Sequence, residues 1–262
     1  MDKQELEKLV SNVYEEAFLA NEYLAVLKQY QSIFDTYYDE ISYSPAFYNT
    51  VMRALHDALF VELAKLYDTG NKASGLQYLL NCCRKNTDLF PQNAGVIHAG
   101  ENEYSIPHQI TLKKDEECFF PEKAKPIHDY LDSLGAPYCD NPVKIELTIE
   151  EYFLFMQKKL SKLNSARDSL REQRNKYYAH FDRAVNFDLE KLQKASPLFE
   201  ADIDNMVSFA IDFCQGCSAL LTGKICGSLP ININDLENTL ELVKYGAEYQ
   251  KKLATQSDDS NE

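Results

Sequence analysis

Leu6, Val10, Val13, Ala17, Ala20, Leu24 and Leu27 follow one another at alternating steps of four and three. With 3.6 residues per turn, that spacing draws a single apolar stripe along a helix, so the first 38 residues are expected to be one long helix with one buried face. A stripe of this length stays buried only if other helices lie against it, and the rest of the chain supplies them. Ser44-Pro45 reads as a helix start, with Ser44 as N-cap and Pro45 in the first helical position. The helix that follows, through Asp68, is apolar nearly all round (Phe47, Val51, Leu55, Leu59, Leu63), as expected of a central bundle helix closed by Gly70. Leu76 to Arg84 reads as a further short helix.

Residues 85–147 break the helical period. They hold six of the nine prolines and three of the five histidines, far more chain than the ~2–8 residues of a bundle connection, and are read as an irregular insertion. Within them Glu122 to Leu134 suits a short helix. Val143, Ile145 and Leu147 alternate with polar residues like a strand, beside Ser105 to Leu112. Thr148-Ile149-Glu150-Glu151 is a capping box ahead of a long helix to about Phe181. Further helices fit Pro197 to Ile225, ended by Gly227, and Asp235 to Leu253, capped by Asn234. The expected architecture is all-α: one helical domain over 1–254, then a polar, disordered tail over 255–262.

Composition narrows the function. An apolar share of 45% with 26% charged residues excludes a wholly disordered chain. A net charge of -14 argues against a broad nucleic-acid-coating surface and leaves room for a small basic patch. The longest uncharged stretch of the apolar C-terminal region, Phe213 to Gly223, is half of what a bilayer span requires, and the N-terminus lacks an apolar signal core. With an odd count of seven cysteines, the expectation is a cytoplasmic protein without a disulfide framework or membrane association.

One segment inverts the charge. Residues 157–183 carry eight basic side chains (Lys158, Lys159, Lys162, Arg167, Arg171, Arg174, Lys176, Arg183) against three acidic ones, a local +5 in a chain that is otherwise -19. The apolar stripe of this helix runs Leu160, Leu163, position 167, Leu170, position 174, Tyr177, Phe181, so two arginines occupy core-facing positions. A guanidinium so placed needs an anionic partner or ligand. At ~100° per residue, Arg174 and His180 lie ~60° to either side of Tyr177. They can converge there, the more so if two copies of the helix meet across a two-fold axis. His180 near a helix C-terminus is favoured as imidazolium and can supply a proton.

Arg174-Asn175-Lys176, Ala179-His180 and Asp182, on a helix of an all-helical bundle, resemble the Arg-x5-His signature of the HEPN superfamily. The pattern is most similar to its abortive-infection branch of AbiU type, and Arg53, Asp57 and Leu66-Tyr67-Asp68 on the earlier apolar helix suit that branch as well. The resemblance spans 1–225 and implies a HEPN-like bundle of long antiparallel helices. It further implies a metal-independent, cofactor-free endoribonuclease that acts as a homodimer in phage defence or a toxin–antitoxin setting, with an RNA substrate and a separate antitoxin or regulatory protein. Carried over, Arg174 and His180 would be catalytic. Asn175, Tyr177 and Asp182 would support them, and Arg167, Arg171 and Lys176 would contact RNA phosphates. His180 would act as general acid or base at the ribose 2′-hydroxyl or the leaving 5′-oxygen, and Arg174 would stabilise the phosphate charge. Asp182 stands where nucleotidyltransferase-regulated HEPN toxins carry a Tyr, so silencing by modification of that Tyr is not implied.

Other readings stand beside this one. Arg174 can equally serve a structural ion pair to Asp182 or a neighbouring helix, with His180 capping carbonyls, and the groove can bind RNA, a nucleotide or a protein without cutting. Tyr178 can stack on bases or simply sit at the surface, and Lys158, Lys159 and Lys162 can meet phosphates or form a solvated face. Cys214-x-x-Cys217 has metal or redox spacing, yet both lie on the stripe of Ile203, Met206, Ala210, Phe213 and Leu221 and read as core. His98, His108, Cys118, His128 and Cys139 include no close ligand pair, and His56 reads as a core histidine. The sequence has no His-Glu-x-x-His, phosphate-binding Gly loop or Gly-x-Ser-x-Gly.

Overall fold

The computed structural model describes residues 1–91, 96–99, 102–105, 109–112, 119–133, 143–175, 196–224, 226–229 and 232–259. Its helices, in chain order, are α1 (Lys3–Ile33), α2 (Tyr38–Ile41), α3 (Pro45–Leu66), α4 (Leu76–Lys85), α5 (Pro121–Ser133), α6 (Ile149–Lys162), α7 (Asn164–Gln173), α8 (Glu200–Thr222) and α9 (Asp235–Asp259). The fold is all-α, as expected, and the α1 stripe is buried from Leu6 to Leu24. The irregular segment carries two antiparallel strand pairs. β1 (Val96–Ala99) pairs with β2 (Asn102–Ser105), and β3 (Gln109–Leu112) pairs with β4 (Val143–Glu146), setting Ile110 opposite Ile145. The second pair is the one the alternation at Val143 pointed to.

The chain forms two compact units, residues 1–17 with 64–226 and residues 18–63 with 227–262. In the first, α4 packs on α6, and both α6 and α7 pack on α8. Leu79, Leu80, Phe153, Met206 and Phe213 are fully buried there, and Phe90 meets Phe153 edge-on at 4.8 Å. Thr148 closes the capping box of α6: its side chain accepts from the Glu151 N–H, and the Glu151 carboxylate accepts from the Thr148 N–H. Lys123 of α5 donates to that carboxylate and to the Glu146 carbonyl, which ties α5 to the junction of β4 and α6. Gly75, which opens α4, is required by space: a Cβ there would collide with the Leu66 and Lys65 carbonyl oxygens.

In the second unit, Ile33, Tyr37, Ile41, Tyr48 and Leu240 form a core, joined by Tyr30, Phe34 and Leu236. The face of α3 in this unit departs from the all-round burial expected for it. Leu59 and Leu63 are buried, but Phe47 is 59% exposed and Val51 and Leu55 are only half-buried. His56 is likewise exposed, its ring 4.7 Å from Phe60, rather than a core histidine. An apolar composition on all sides of a helix does not reveal which half of its length has neighbours.

Four helix limits also shift. The long helix expected from 148 to 181 breaks at Leu163 (φ -86°, ψ 3°), which separates α6 from α7. Helix α8 begins at Glu200 instead of Pro197, because the Asp202 carboxylate accepts from the Phe199 N–H. It ends at Gly223 instead of Gly227, where a positive φ of 70° suits glycine and the Gly223 N–H donates to the Ala219 carbonyl. Helix α9 runs on past Leu253 to Asp259.

Candidate active site

The break at Leu163 resets the phase of the arginine-bearing helix. Ala166 and Leu170 are the buried positions of α7, so Arg167 moves from the expected stripe to its flank, half-buried. One turn beyond, Arg174 and Asn175 lie in a wider π-helical turn. Such turns accompany functional positions in many helices.

Arg174 ends half-buried, as its place on the stripe required, and it finds the anionic partner that burial demands. Its Nη1 lies 3.7 Å from Asp68 Oδ2, just past the end of α3. Its Nε and Nη2 both donate to Asn175 Oδ1, at 3.1 and 3.0 Å. The Asp68 carboxylate is itself held, since Oδ1 accepts from the Gly70 N–H at 2.9 Å. The C-terminal end of a helix is where cations are favoured, and Arg174 meets α3 at that end. There Ala64, Tyr67, Asp68 and Thr69 face Arg167, Asp168, Leu170, Arg171 and Arg174 of α7 and the π turn across a cleft of about 20 Å³, room for one water. Three guanidiniums against two carboxylates make this cleft net positive inside an acidic chain. Arg171 pairs with Asp168 at 3.6 Å in full solvent, while Arg167 has no side-chain partner among the described residues.

Tyr67 forms the floor. It is fully buried, and its hydroxyl donates to the Met206 carbonyl at 2.6 Å, which fixes the end of α3 against α8. Burial, and then the neighbouring Cys214, push its phenol well above the ordinary value, so it stays a protonated donor. The partner the sequence left unassigned is therefore Asp68.

Of the residues singled out from sequence, Arg167, Arg171, Arg174 and Asn175 gather at this cleft. Lys176, Tyr177, Tyr178, His180 and Asp182 lie outside the described residues, so the Arg174–His180 pairing is not part of this geometry. Lys158 and Lys159 are half-buried and Lys162 is exposed. Their ammonium groups sit 4.7–5.3 Å from the rings of Phe119 and Phe155. Cys214 and Cys217 are buried in the core, and Cys217 Sγ lies 3.9 Å from Cys83 Sγ. Burial drives both α8 thiols upward, away from thiolate chemistry. Among the described residues no group of three or more His, Cys, Asp or Glu could hold a metal, and no helix is long and apolar enough to cross a membrane. The side chains of His98, His108, Cys118, His128 and Cys139 lie outside what is described.

An all-helical bundle of this order is consistent with a HEPN-like fold. The chain belongs to the abortive-infection family AbiU2: the family model HEPN_AbiU2 matches residues 3–138, just over half its length. The match takes in Asp68 and most of the irregular segment, and the Arg174 turn follows it in the chain. No curated protein and no solved structure matches the chain.

Proposed function

We infer that the chain is a metal-independent endoribonuclease acting in abortive infection or as the toxin of a toxin–antitoxin pair. The observation that carries this reading is Arg174, half-buried beside Arg167 and Arg171 in the net-positive cleft of a HEPN-family chain. In this reading the ribose 2′-oxygen attacks the adjacent phosphorus and the bond from phosphorus to the 5′-oxygen breaks. His180 takes the 2′-hydroxyl proton or gives one to the leaving oxygen. Arg174 stabilises the extra phosphate charge and Asn175 holds its guanidinium edge. The products are a 2′,3′-cyclic phosphate and a 5′-hydroxyl, and DNA, lacking the nucleophile, is not cut. A homodimer brings two Arg174 turns to one RNA strand, and a separate protein restrains the activity in the cell.

A second reading is favoured by one observation: Arg174 is already engaged by Asp68 and Asn175 within its own chain. A non-catalytic module would bind RNA, a nucleotide or a protein through the same cleft. Cleavage of end-labelled RNA in excess EDTA, with wild type beside His180→Ala, separates the two. The ribonuclease reading expects cutting that the variant loses. A folded wild type that binds RNA without cutting supports the second reading, and equal cutting by the variant removes His180 from the mechanism.

A further inference from the structure

Acidic residues make up 41 of the 262, yet two stretches of the chain have none. Residues 69–87 hold no Asp or Glu, and neither do residues 152–167. At the chain's average frequency about five carboxylates would fall there, and seven basic residues stand there instead. The first stretch takes in all of α4, the second most of α6 and the start of α7. These two stretches are neighbours in the fold, because α4 packs on α6. Arg84, in the last turn of α4, reaches the middle of α6, where its Nη1 donates to Gln157 Oε1 at 2.6 Å. Asp68, ahead of α4, meets Arg174 just beyond α7. Helix α4 therefore runs beside α6 and α7 in the opposite sense, and the furrow between them leads from Arg84 to the Arg174 cleft. At about 100° per residue, Gln77, Asn81 and Arg84 share one flank of α4, and Gln157 and Ser161 share one flank of α6. Gln77 donates to Asn81 along the first lip at 3.3 Å. The walls are thus amides and a hydroxyl, with guanidiniums at both ends: Arg84 at one, Arg167 and Arg171 at the other. Arg84 is exposed and its side-chain partner is a neutral amide, so its charge stays uncompensated and four of its five N–H donors remain for a ligand.

We propose that this furrow is a binding groove for a single RNA strand leading into the Arg174 cleft, with Arg84 as the phosphate contact farthest from it. The proposal rests on the RNA reading of that cleft and adds where the rest of the strand lies. Charge selects the ligand. An acidic chain that keeps two adjacent helical segments clear of carboxylates avoids repelling a polyanion there, and strand binding is dominated by phosphate contacts. The furrow's shape selects one strand over a duplex, since packed helices lie only about 8–10 Å apart. The amides of Gln77, Asn81 and Gln157 carry both donors and acceptors, which suits phosphate oxygens and the open edges of unpaired bases. From Gln157 to Arg171 the helices rise about 21 Å, so Arg84 engages nucleotides well outside the one being cut.

The test is fluorescence anisotropy of a labelled 2′-O-methyl RNA strand of about 12 nucleotides, titrated with the full chain over a range of salt, with each variant's thermal midpoint checked. Such a strand lacks the 2′-nucleophile and cannot be cut. Arg84→Gln should weaken binding about five- to tenfold and make the plot of log affinity against log salt shallower by about 0.7. Gln157→Glu places a carboxylate on Arg84 and keeps that contact within the chain. It should weaken binding as much, with the midpoint no lower than in wild type. Lys244→Gln removes one positive charge from α9, in the other unit, and should change neither affinity nor slope. A wild type that does not bind the strand at low salt overturns the proposal, as do Arg84→Gln and Gln157→Glu chains that bind like wild type. An equal loss from Lys244→Gln reduces the binding to diffuse charge and overturns the groove. A duplex bound as tightly overturns the single strand, and displacement by polyglutamate of equal charge reassigns the surface to an acidic protein. Binding here without any cutting of ordinary RNA fails the ribonuclease reading and keeps the groove. Cutting by a chain indifferent to Arg84 does the reverse.

Discussion

Removing the Arg174 guanidinium should separate catalysis from stability. The pair with Asp68 spans 3.7 Å, with the two side chains 32% and 42% exposed. Coulomb's law at that distance gives about 1 kcal/mol in bulk water and about 4 at a protein-surface dielectric. Solvent screening and the ordering of two long side chains reduce such pairs to about 0.5–1 kcal/mol net. The two hydrogen bonds to Asn175 are local to adjacent residues and add little that water cannot replace. Arg174→Ala should therefore lower the thermal midpoint by only about 2–4 °C, and Asp68→Asn by no more. A donor aimed at charge that develops in the transition state is worth about 2.7–4 kcal/mol, a rate loss of about 10²–10³. Initial rates on a fluorogenic RNA, measured beside thermal melts, read both quantities. Arg171→Ala, whose pair with Asp168 lies about 60% exposed, should leave the midpoint unmoved and cost less activity than Arg174→Ala. An Arg174→Ala enzyme cutting within threefold of wild type (about 0.7 kcal/mol), or melting more than about 8 °C lower, would refute the reasoning. The first result moves the motif to Arg171 and the second makes Arg174 a structural strut.

Three stability predictions concern the end of α3 and the cap of α6. Tyr67→Phe removes a buried hydroxyl that donates to the Met206 carbonyl. It should cost about 1–2 kcal/mol, seen as a lower midpoint in urea or heat, and an unchanged midpoint would mean that the end of α3 is not held there. Thr148→Ala should cost about 1 kcal/mol through the lost cap of α6, read in the same melts. Burial of Glu151 would raise its carboxyl, but hydrogen bonds from Lys123 and Thr148 outweigh it and the net shift is downward. A carboxylate lowered on folding stabilises above its unfolded value and loses that contribution as pH falls through the folded one. Glu151→Gln should therefore destabilise at neutral pH and converge with wild type in melts below about pH 4, and a gap that persists in acid would contradict the assignment.

Much of this architecture was written in residue spacing. The Thr148 capping box rests on contacts within three residues, and the α1 stripe and the alternation at Val143 each rest on a period repeated along one segment, so these were open to a reading of spacing alone. Tertiary neighbours decided the rest. Phe47 and His56 look like core from the composition of α3, yet both side chains are exposed, while Tyr48 beside them is buried in the core of the second unit. The break at Leu163 has no Pro or Gly to announce it, and it moved Arg167 off the stripe while leaving Arg174 on it. Arg174 was legible as a residue that must find an anion. Asp68 as that anion was not, because the two stand 106 positions apart and only the packing of α3 beside α7 brings them together.

We propose that Arg174 and His180 cut RNA through its own 2′-hydroxyl. The most direct measurement is the 3′-end chemistry of the products in EDTA, from an RNA and from the same strand with a single 2′-deoxy sugar at the cleaved position. The account predicts 2′,3′-cyclic phosphate ends from the first and no cut at the modified position of the second. Cutting at the deoxy position, or 3′-hydroxyl ends from the intact RNA, would contradict it.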